Sequence, residues 1–184
     1  MHPLEKFQYC PVCGSNKFEI NNFKSKKCSS CGFTYYANPC SATAAIILRT
    51  VSDASGNSHE EMLAVQRAKD PAKGTLDLPG GFCDMYETVE EGMRREIKEE
   101  IGLEVDEITY LFSSPNVYQY SGMGVHTLDM DFLVRLKGEI PQIHAADDAT
   151  EARWIPIDEI NPEEFGLTSI RNAVIRFLRE YANR

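Results

Sequence analysis

The stretch from Gly81 to Leu103 reads GFCDMYETVEEGMRREIKEEIGL, and the rest of the chain is organised around it. Thr88 can cap the first turn of a helix, and Glu91, three residues later, completes a capping box. Gly102 can adopt the left-handed conformation that ends many helices. The pattern therefore predicts a helix whose limits are about Thr88 and Ile101.

The two sides of this helix differ in polarity. At about 100° per residue, one side collects an apolar stripe that we expect to pack on a sheet: Val89, Met93, Ile97 and Ile101. The opposite side collects residues that we expect in solvent: Glu91, Arg94, Arg95 and Lys98. Glu96 and Glu100 project into or beside the stripe, and Glu99 lies at its margin. Three carboxylates thus crowd a half-buried edge.

Such a cluster loses hydration and repels itself, so it requires protonation, basic partners or a cation. Oxygen ligands that do not close a cage suit Mg²⁺ or Mn²⁺, which keep bound water and also bind substrate phosphates. The alternative is a solvated acidic helix with i,i+4 pairs such as Arg95 with Glu99. The angular positions of Glu96 and Glu100 favour the metal site.

The same stretch resembles the Nudix box, whose pattern is Gx5Ex7REUxEExGU with U an aliphatic residue. Every fixed position is present: Gly81, Glu87, Arg95, Glu96, Ile97, Glu99, Glu100, Gly102 and Leu103. In that family the box binds a divalent metal and hydrolyses a nucleoside diphosphate linked to another moiety. The resemblance implies that Glu96, Glu99 and Glu100 are metal ligands or base and that the Gly80 carbonyl joins them. It also implies that Glu87 and Arg95 brace the loop.

The composition is that of a soluble globular protein. The chain has 184 residues, 42% of them hydrophobic, which suffices for one good core and a small module. No apolar run approaches the roughly 18 residues of a membrane span, and the N-terminus carries no secretion signal. We therefore expect a cytoplasmic protein with no membrane partner.

The first 40 residues carry two CxxC motifs separated by fourteen residues, formed by Cys10, Cys13, Cys28 and Cys31. This spacing predicts a structural Zn²⁺ held by four thiolates in a zinc ribbon, with no position open for catalysis. The alternatives are disulfides, which no secretion signal supports, and a redox CxxC.

This module has five lysines against two glutamates, whereas the remainder of the chain is acidic and the whole carries a formal charge of −9. A basic ribbon that contains Phe23, Phe33, Tyr35 and Tyr36 could contact nucleic acid. In so small a domain, however, aromatic residues more often form the core, and that is what we expect here. The overall acidity also argues against general binding to a polyanion.

Asn38-Pro39 marks the predicted boundary, which gives a zinc ribbon over residues 1–38 and a second domain over residues 39–184. In the second domain, SATAAIIL and MLAVQR read as paired strands around the turn VSDASGNSHE. VDEITYLF and HTLDMDFLVRL read as two further strands. ARWIPIDEI joins a strand that ends near Trp154 to a short helix, and residues 168–182 form an amphipathic helix that covers the sheet.

Two segments between these elements hold candidate site residues. SSPNVYQYSGMG, residues 113–124, reads as an irregular loop in which Tyr118 and Tyr120 either stack on a substrate base or are plain rim aromatics. Before ARWIPIDEI lies an acidic loop. Many Nudix enzymes place a further ligand or base there, and Asp147, Asp148 and Glu151 are the candidates.

The periodicities predict helices flanking a mixed sheet, and the resemblance, over about residues 40–182, implies the α/β/α sandwich of the Nudix fold. A zinc ribbon before a Nudix domain further resembles the NADH pyrophosphatase group, which carries SQPWxxPxS after the box. Here the segment is SSPNVYQYS, in which Ser114 and Asn116 replace Gln and Trp.

We therefore expect a Mg²⁺-dependent hydrolase that cleaves the pyrophosphate bond of a dinucleotide, sugar nucleotide or nucleoside triphosphate. One alternative is an NADH or NAD pyrophosphatase proper. Another is a non-enzymatic nucleotide sensor whose ribbon contacts nucleic acid, although the intact glutamates weigh against it. A homodimer is expected by family analogy alone.

Overall fold

The computed structural model describes residues 2–120, 122–136, 143 and 149–181. The chain divides into two compact units, Met1–Cys40 with Val117–Thr127, and Ser41–Asn116 with Leu128–Arg184. The sequence does not indicate that residues 117–127 group with the N-terminal segment. The boundary after residue 38 between two functional domains stays a prediction.

The first unit contains a three-stranded antiparallel sheet in the order β1-β2-β3, formed by Phe18–Asn22, Ser25–Cys28 and Thr34–Tyr36. Its small core consists of Cys10, Phe18 and Cys28, against which Phe33 packs. The prediction that the aromatic residues of this segment form its core is therefore wrong for Phe23, Tyr35 and Tyr36, which are exposed. A unit this small has too little interior to cover them once Phe18 and two cysteines occupy it.

The second unit combines a six-stranded sheet with two α-helices. The elements from β4 onward, of which residues 117–127 and Cys40 are counted with the first unit, are β4 (Cys40–Ser52), β5 (Ser58–Arg67), β6 (Leu76–Asp77), α1 (Val89–Ile101), β7 (Val105–Tyr120), β8 (Met123–Leu136), β9 (Ala149–Pro156) and α2 (Thr168–Glu180). The 3₁₀ turns Ile157–Glu159 and Pro162–Glu164 connect β9 to α2. The strands follow the order β6-β5-β4-β8-β7, and β9 pairs with β5. The predicted α/β fold with a mixed sheet is confirmed.

The core forms two apolar layers on opposite faces of the sheet, and β4 contributes to both because its side chains alternate. Ile46 and Leu48 belong to the layer that contains Val174 and Phe177 of α2. Ala45 and Ile47 belong to the layer that contains the α1 stripe, Met93, Ile97 and Ile101. Full burial of each large aliphatic side chain contributes roughly 1.5–3 kcal/mol. The sheet therefore holds α1 rigidly through its apolar stripe.

The irregular loop predicted for residues 113–124 is wrong. β7 continues to Tyr120 and β8 begins at Met123, so strands occupy most of the segment predicted as a loop. Aromatic and β-branched residues such as Val117, Tyr118 and Tyr120 favour strands. Pro115 is compatible with this position because β7 is the edge strand of the described sheet, and proline in sheets occurs mainly on edge strands.

The remaining predicted elements are present with small shifts of their ends. The turn between β4 and β5 is shorter than predicted, since both strands extend toward it and leave only residues 53–57 between them. β9 continues past Trp154 to Pro156, and α2 ends at Glu180. Among the described residues, no helix is both long enough and apolar enough to cross a membrane.

Candidate active site

The helix α1 begins and ends at the residues that the sequence predicts. The Thr88 hydroxyl accepts a hydrogen bond from the Glu91 N–H at 3.2 Å, and the Glu91 carboxylate accepts one from the Thr88 N–H at 2.7 Å. At the other end, Gly102 has φ 72° and donates its N–H to the Lys98 carbonyl. These caps satisfy terminal backbone groups and fix where each glutamate of the helix projects.

The loop before the helix is held against β4 by its backbone. Ala45 and Thr43 donate their N–H groups to the carbonyls of Pro79 and Gly81, both at 2.8 Å, and Cys83 donates to the Ser41 carbonyl at 3.1 Å. The loop thus extends the sheet ladder for three rungs before it turns toward α1.

Gly80 lies at the closest point of this contact. Its φ is 145°, and a Cβ built there would lie 2.2 Å from the Thr43 carbonyl oxygen. Both the conformation and the space exclude a side chain. The Gly80 N–H points the other way and donates to the Glu100 carboxylate at 3.0 Å, which joins the loop to the last turn of α1.

The Arg95 guanidinium donates hydrogen bonds to three carboxylates and lies 3.8 Å from a fourth, that of Asp84. It donates to Glu87 at 2.8 Å, to Glu96 at 2.8 Å and to Glu99 at 3.1 Å. It also donates to the Phe82 carbonyl at 3.1 Å. The placement of Arg95 on the solvent side with Arg94 and Lys98 is therefore wrong, because the long side chain turns back to the glutamates. Glu91, Arg94 and Lys98 are exposed as predicted.

Glu87 anchors the loop to the helix in its ionised form. The hydrogen bonds from Arg95, together with one from the Asp84 N–H, lower the pKa of Glu87. A carboxylate that accepts several charge-assisted hydrogen bonds favours its charged state. Glu87 therefore remains anionic and bound to Arg95 at neutral pH.

Glu96 is in a different environment. Burial raises its pKa, and the guanidinium of Arg95 offsets this only in part. Gly81 provides the space for its carboxylate, since a Cβ built on Gly81 would lie 2.6 Å from Glu96 Oε1. A half-buried carboxylate against bare backbone is a group whose charge a bound cation would stabilise strongly.

The donor set suits a hard divalent cation by charge and by chemistry. Four carboxylates pair with the single guanidinium of Arg95, those of Asp84, Glu87, Glu96 and Glu99, and a fifth, that of Glu100, binds the loop at the Gly80 N–H. All donors are oxygens, as Mg²⁺ and Mn²⁺ prefer. In the described part of the chain these carboxylates do not converge as a closed ligand set, because Arg95 holds Glu96 and Glu99 while Glu100 binds the Gly80 N–H.

The other predicted site residues lie elsewhere or outside the described chain. Tyr118, which is half-buried, and Tyr120, which is exposed, belong to the β7 segment of the first unit. Glu151 lies on β9 opposite Gln66 and borders a cleft that also contains Arg153 and Glu164. Asp147 and Asp148 lie outside the described residues.

Two main-chain contacts of the site escape prediction from sequence. The Phe82 carbonyl binds Arg95 and the Asp84 N–H binds Glu87, yet both residues occupy variable positions of the box. Because any residue type supplies a backbone carbonyl or N–H, no side-chain signal identifies them. The Gly80 N–H also binds Glu100, which the sequence does not indicate, and the metal contact expected of the Gly80 carbonyl stays a prediction.

The four cysteines of the first unit form the second candidate metal centre. Their sulfur atoms all lie within 4.8 Å of one another, with Cys10 to Cys31 and Cys13 to Cys28 each at 3.7 Å. Sulfurs placed about 2.3 Å from a tetrahedral zinc ion would be about 3.8 Å apart. All four thiols are free, which excludes the disulfide alternative in this structure.

The pKa of one of these thiols, that of Cys28, is lowered. Burial opposes the thiolate of Cys28, but the backbone N–H groups of Cys31 and Ser30 donate to its sulfur and lower its pKa to about 6. A zinc ligand must be deprotonated, so these hydrogen bonds favour the metal-binding form.

Comparisons with known proteins agree with this geometry. A family model described as NUDIX domain matches residues 43–177. The chain is similar to the NAD-capped RNA hydrolase NudC of Deinococcus radiodurans, with 28% identity over 83% of this chain and 50% of that protein. It is also similar to the ADP-ribose pyrophosphatase of Methanocaldococcus jannaschii, with 35% identity over 54% of this chain and 57% of that protein.

Among solved structures, a NUDIX hydrolase from Nitrosomonas europaea superimposes with a TM-score of 0.68 at 21% identity, covering 96% of this chain and 93% of that chain. This likeness concerns the fold. The chain spans about half the length of the curated relatives it matches.

Proposed function

The chain belongs to the Nudix family, and from that premise we propose that it hydrolyses the pyrophosphate bond of a nucleoside diphosphate linked to another moiety. The observation that carries this proposal is the group of four carboxylates, those of Asp84, Glu87, Glu96 and Glu99, that pair with the one guanidinium of Arg95 beside the loop of Gly80 and Gly81. A structural ion-pair network would balance its charges, whereas at Arg95 the carboxylates outnumber the cation, and such an excess suits a bound metal ion.

In this proposal Glu96, Glu99 and Glu100 hold one or more Mg²⁺ or Mn²⁺ ions. A bound divalent cation would screen the phosphate oxygens and lower the pKa of a water molecule. The chain's own contribution is positional. Arg95 and Glu87 fix the loop, Gly80 and Gly81 keep side chains away from the substrate phosphates, and one of the three glutamates accepts the proton of the attacking water.

The substrate class follows from chemistry that two kinds of relative share. The names of the relatives refer to an NAD cap and to ADP-ribose, and each contains a pyrophosphate that bears an adenosine. We propose a substrate of that type. Asn116, where the NADH pyrophosphatase group has Trp, separates the chain from NADH specificity proper. The contact of Tyr118 and Tyr120 with the base or the second half of the substrate stays a prediction from the sequence.

We further propose that Cys10, Cys13, Cys28 and Cys31 hold a structural Zn²⁺. The sulfur separations of 3.7 Å support it. Four thiolates would complete the coordination of the ion, so it would stabilise the first unit without taking part in hydrolysis.

A panel of substrates tests the activity. The purified protein is incubated with Mg²⁺ and NADH, ADP-ribose, a sugar nucleotide or a nucleoside triphosphate, and the products are separated. We expect cleavage of the pyrophosphate bond in at least one adenosine-containing member. If the protein binds nucleotides but cleaves none of them in Mg²⁺ or Mn²⁺, it is a sensor and the proposal fails.

A pair of isosteric variants tests the residues. Glu100→Gln should lower kcat by about 100-fold or more, because it removes a charge from the metal-binding set. Glu90→Gln is the matched control, since Glu90 is exposed on the same helix. Glu91 is less suitable, because its carboxylate completes the capping box. Equal activity of the two variants at saturating Mg²⁺ would contradict the assignment.

A further inference from the structure

The first unit exposes an unusual share of the large apolar side chains. Among the described residues, seven of the fifteen that are exposed lie in the first 40 positions: Phe7, Tyr9, Val12, Ile20, Phe23, Tyr35 and Tyr36. Phe23 is the most exposed of the seven, at 82%. Exposed apolar side chains that cluster in this way indicate an interaction surface.

Several of these side chains share one face of the small sheet. Ile20, Lys26 and Tyr35 are direct cross-strand neighbours on β1, β2 and β3, so their side chains point to the same side. Phe7 stacks on Tyr35 with ring centroids 6.3 Å apart and planes inclined by 24°. We call the surface that these side chains form the aromatic face; its residues are Phe7, Ile20 and Tyr35. Phe23 lies in the turn that joins β1 to β2.

A positive charge lies on the same side of the sheet. Lys26 is only 7% exposed. Its ammonium group donates a hydrogen bond to the Phe7 carbonyl at 2.6 Å and lies 5.3 Å from the centroid of the Phe18 ring. No carboxylate forms an ion pair with it among the residues described in the structure. A buried ammonium without a counter-ion favours an anion at the adjacent surface.

The remaining charges of the unit point to the same kind of partner. Lys17, Lys24 and Lys27 add to Lys26, whereas residues 1–40 contain only Glu5 and Glu19 as acids. The Lys24 ammonium lies 6.0 Å from the Phe23 ring centroid, so ring and cation are neighbours at the turn. Even with a zinc ion and four thiolates, which together carry −2, the segment remains formally positive, unlike the acidic remainder of the chain.

We propose that the first unit binds single-stranded nucleic acid on the aromatic face and the Phe23 turn. Single strands bind to exposed aromatic rings, on which bases stack, set among cations that contact phosphates. An uncharged apolar protein surface would match the rings but leave the lysines of this unit unpaired, and duplex nucleic acid would hide its bases from the rings. This binding stands independently of the hydrolysis proposed above.

The test is the fluorescence anisotropy of a labelled, unstructured RNA of about 12 nucleotides, at about 50 mM salt with the zinc-loaded full chain. Phe23→Ala and Tyr35→Ala should each raise Kd by about 5- to 100-fold, the range for loss of one stacked base. Tyr35→Phe keeps the ring and should bind as the parent does. Lys24→Gln should lower the slope of log K against log salt by about 0.7.

Tyr110→Ala is the matched control, because Tyr110 is an exposed aromatic residue of the second unit. Its Kd should equal that of the parent, and each variant should retain the parent's zinc content as evidence of folding. Absence of RNA binding by the parent would overturn the proposal, and so would equal weakening by Tyr110→Ala. Sedimentation in which Phe23→Ala abolishes only self-association would assign the face to a second copy of the chain instead.

The two proposals fail separately. Tyr35→Ala should hydrolyse a small dinucleotide at the parent's rate if the face serves only the nucleic acid. A parent that binds RNA but cleaves no nucleotide would refute the hydrolysis and leave the binding surface intact. A parent that cleaves nucleotides but does not bind RNA would refute the binding surface and leave the hydrolysis intact.

Discussion

Asp131 of β8 lowers the stability of the fold at neutral pH, and its replacement by asparagine should reveal by how much. The residue is 2% exposed on the strand face that packs toward α2. Burial and the neighbouring Asp129 raise its pKa from 3.8 to about 7, while Arg176 of α2 opposes the shift. Arg176 itself binds Glu180 and lies over the Phe112 ring, so it compensates the carboxylate only in part.

The sign and size of the effect follow from proton linkage. Folded Asp131 keeps its proton up to about pH 7, whereas the unfolded chain releases it above about pH 4, so native stability falls as pH rises through this window. A difference of about 3 pKa units corresponds to about 4 kcal/mol. About 2 kcal/mol of this is lost between about pH 5.5 and 8.5.

The assay is urea unfolding followed by the fluorescence of Trp154, the single tryptophan, which reports on the second unit. Asp131→Asn should gain about 2 kcal/mol more over the parent at about pH 8.5 than at about pH 5.5. Asp106→Asn, on exposed β7 surface, is the control and should change the unfolding free energy little at either pH. An Asp131→Asn gain that is the same at both pH values would refute the reasoning.

Three further outcomes test other parts of the structure. Metal analysis should find about one zinc per chain, and Cys28→Ser should lose it while the Trp154 transition persists; disulfide-paired thiols without zinc would contradict this. Gly80→Ala should lower kcat, and it should lower the unfolding free energy by about 1–3 kcal/mol, because the new Cβ would meet the Thr43 carbonyl. An unchanged urea midpoint for this variant would contradict that prediction. Arg95→Lys keeps the charge but cannot hold three carboxylates at once, so kcat should fall at least about tenfold, and kinetics equal to the parent's would show that the bracing is dispensable.

The helix α1 could be predicted almost completely because its determinants are local. Thr88, Glu91 and Gly102 fix its ends through contacts within one turn. The apolar stripe then sets which side packs on the sheet, and Glu96 and Glu100 follow from helical geometry. Here sequence and structure agree because no distant residue has to be known.

Arg95 marks the limit of that reasoning. A helical projection gives the direction of a Cα–Cβ bond, but the guanidinium lies several bonds further along a flexible chain. Its final position depends on Glu87 and the Phe82 carbonyl, which a loop folded onto β4 brings close. The projection alone therefore places Arg95 in solvent.

The β7–β8 hairpin was mispredicted for a related reason. Serine, proline, asparagine and glycine in residues 113–124 are typical of loops when read locally. The strand conformation of residues 113–120 depends on pairing with β8 and on the edge position of β7, which no local pattern encodes. In the first unit, likewise, the exposure of Tyr35 depends on how little interior the cysteine cluster leaves.

The ladder between β4 and the glycine loop also affects how the sequence can vary over evolutionary time. Its three hydrogen bonds use only main-chain atoms of Ser41, Thr43 and Ala45, so substitutions among small side chains there should leave the loop in place. Proline at either donor position would remove a rung. A one-residue deletion within this segment would turn the alternate set of N–H and carbonyl groups toward the loop and exchange the two faces of β4. We expect this short segment to accept changes of residue but not of length.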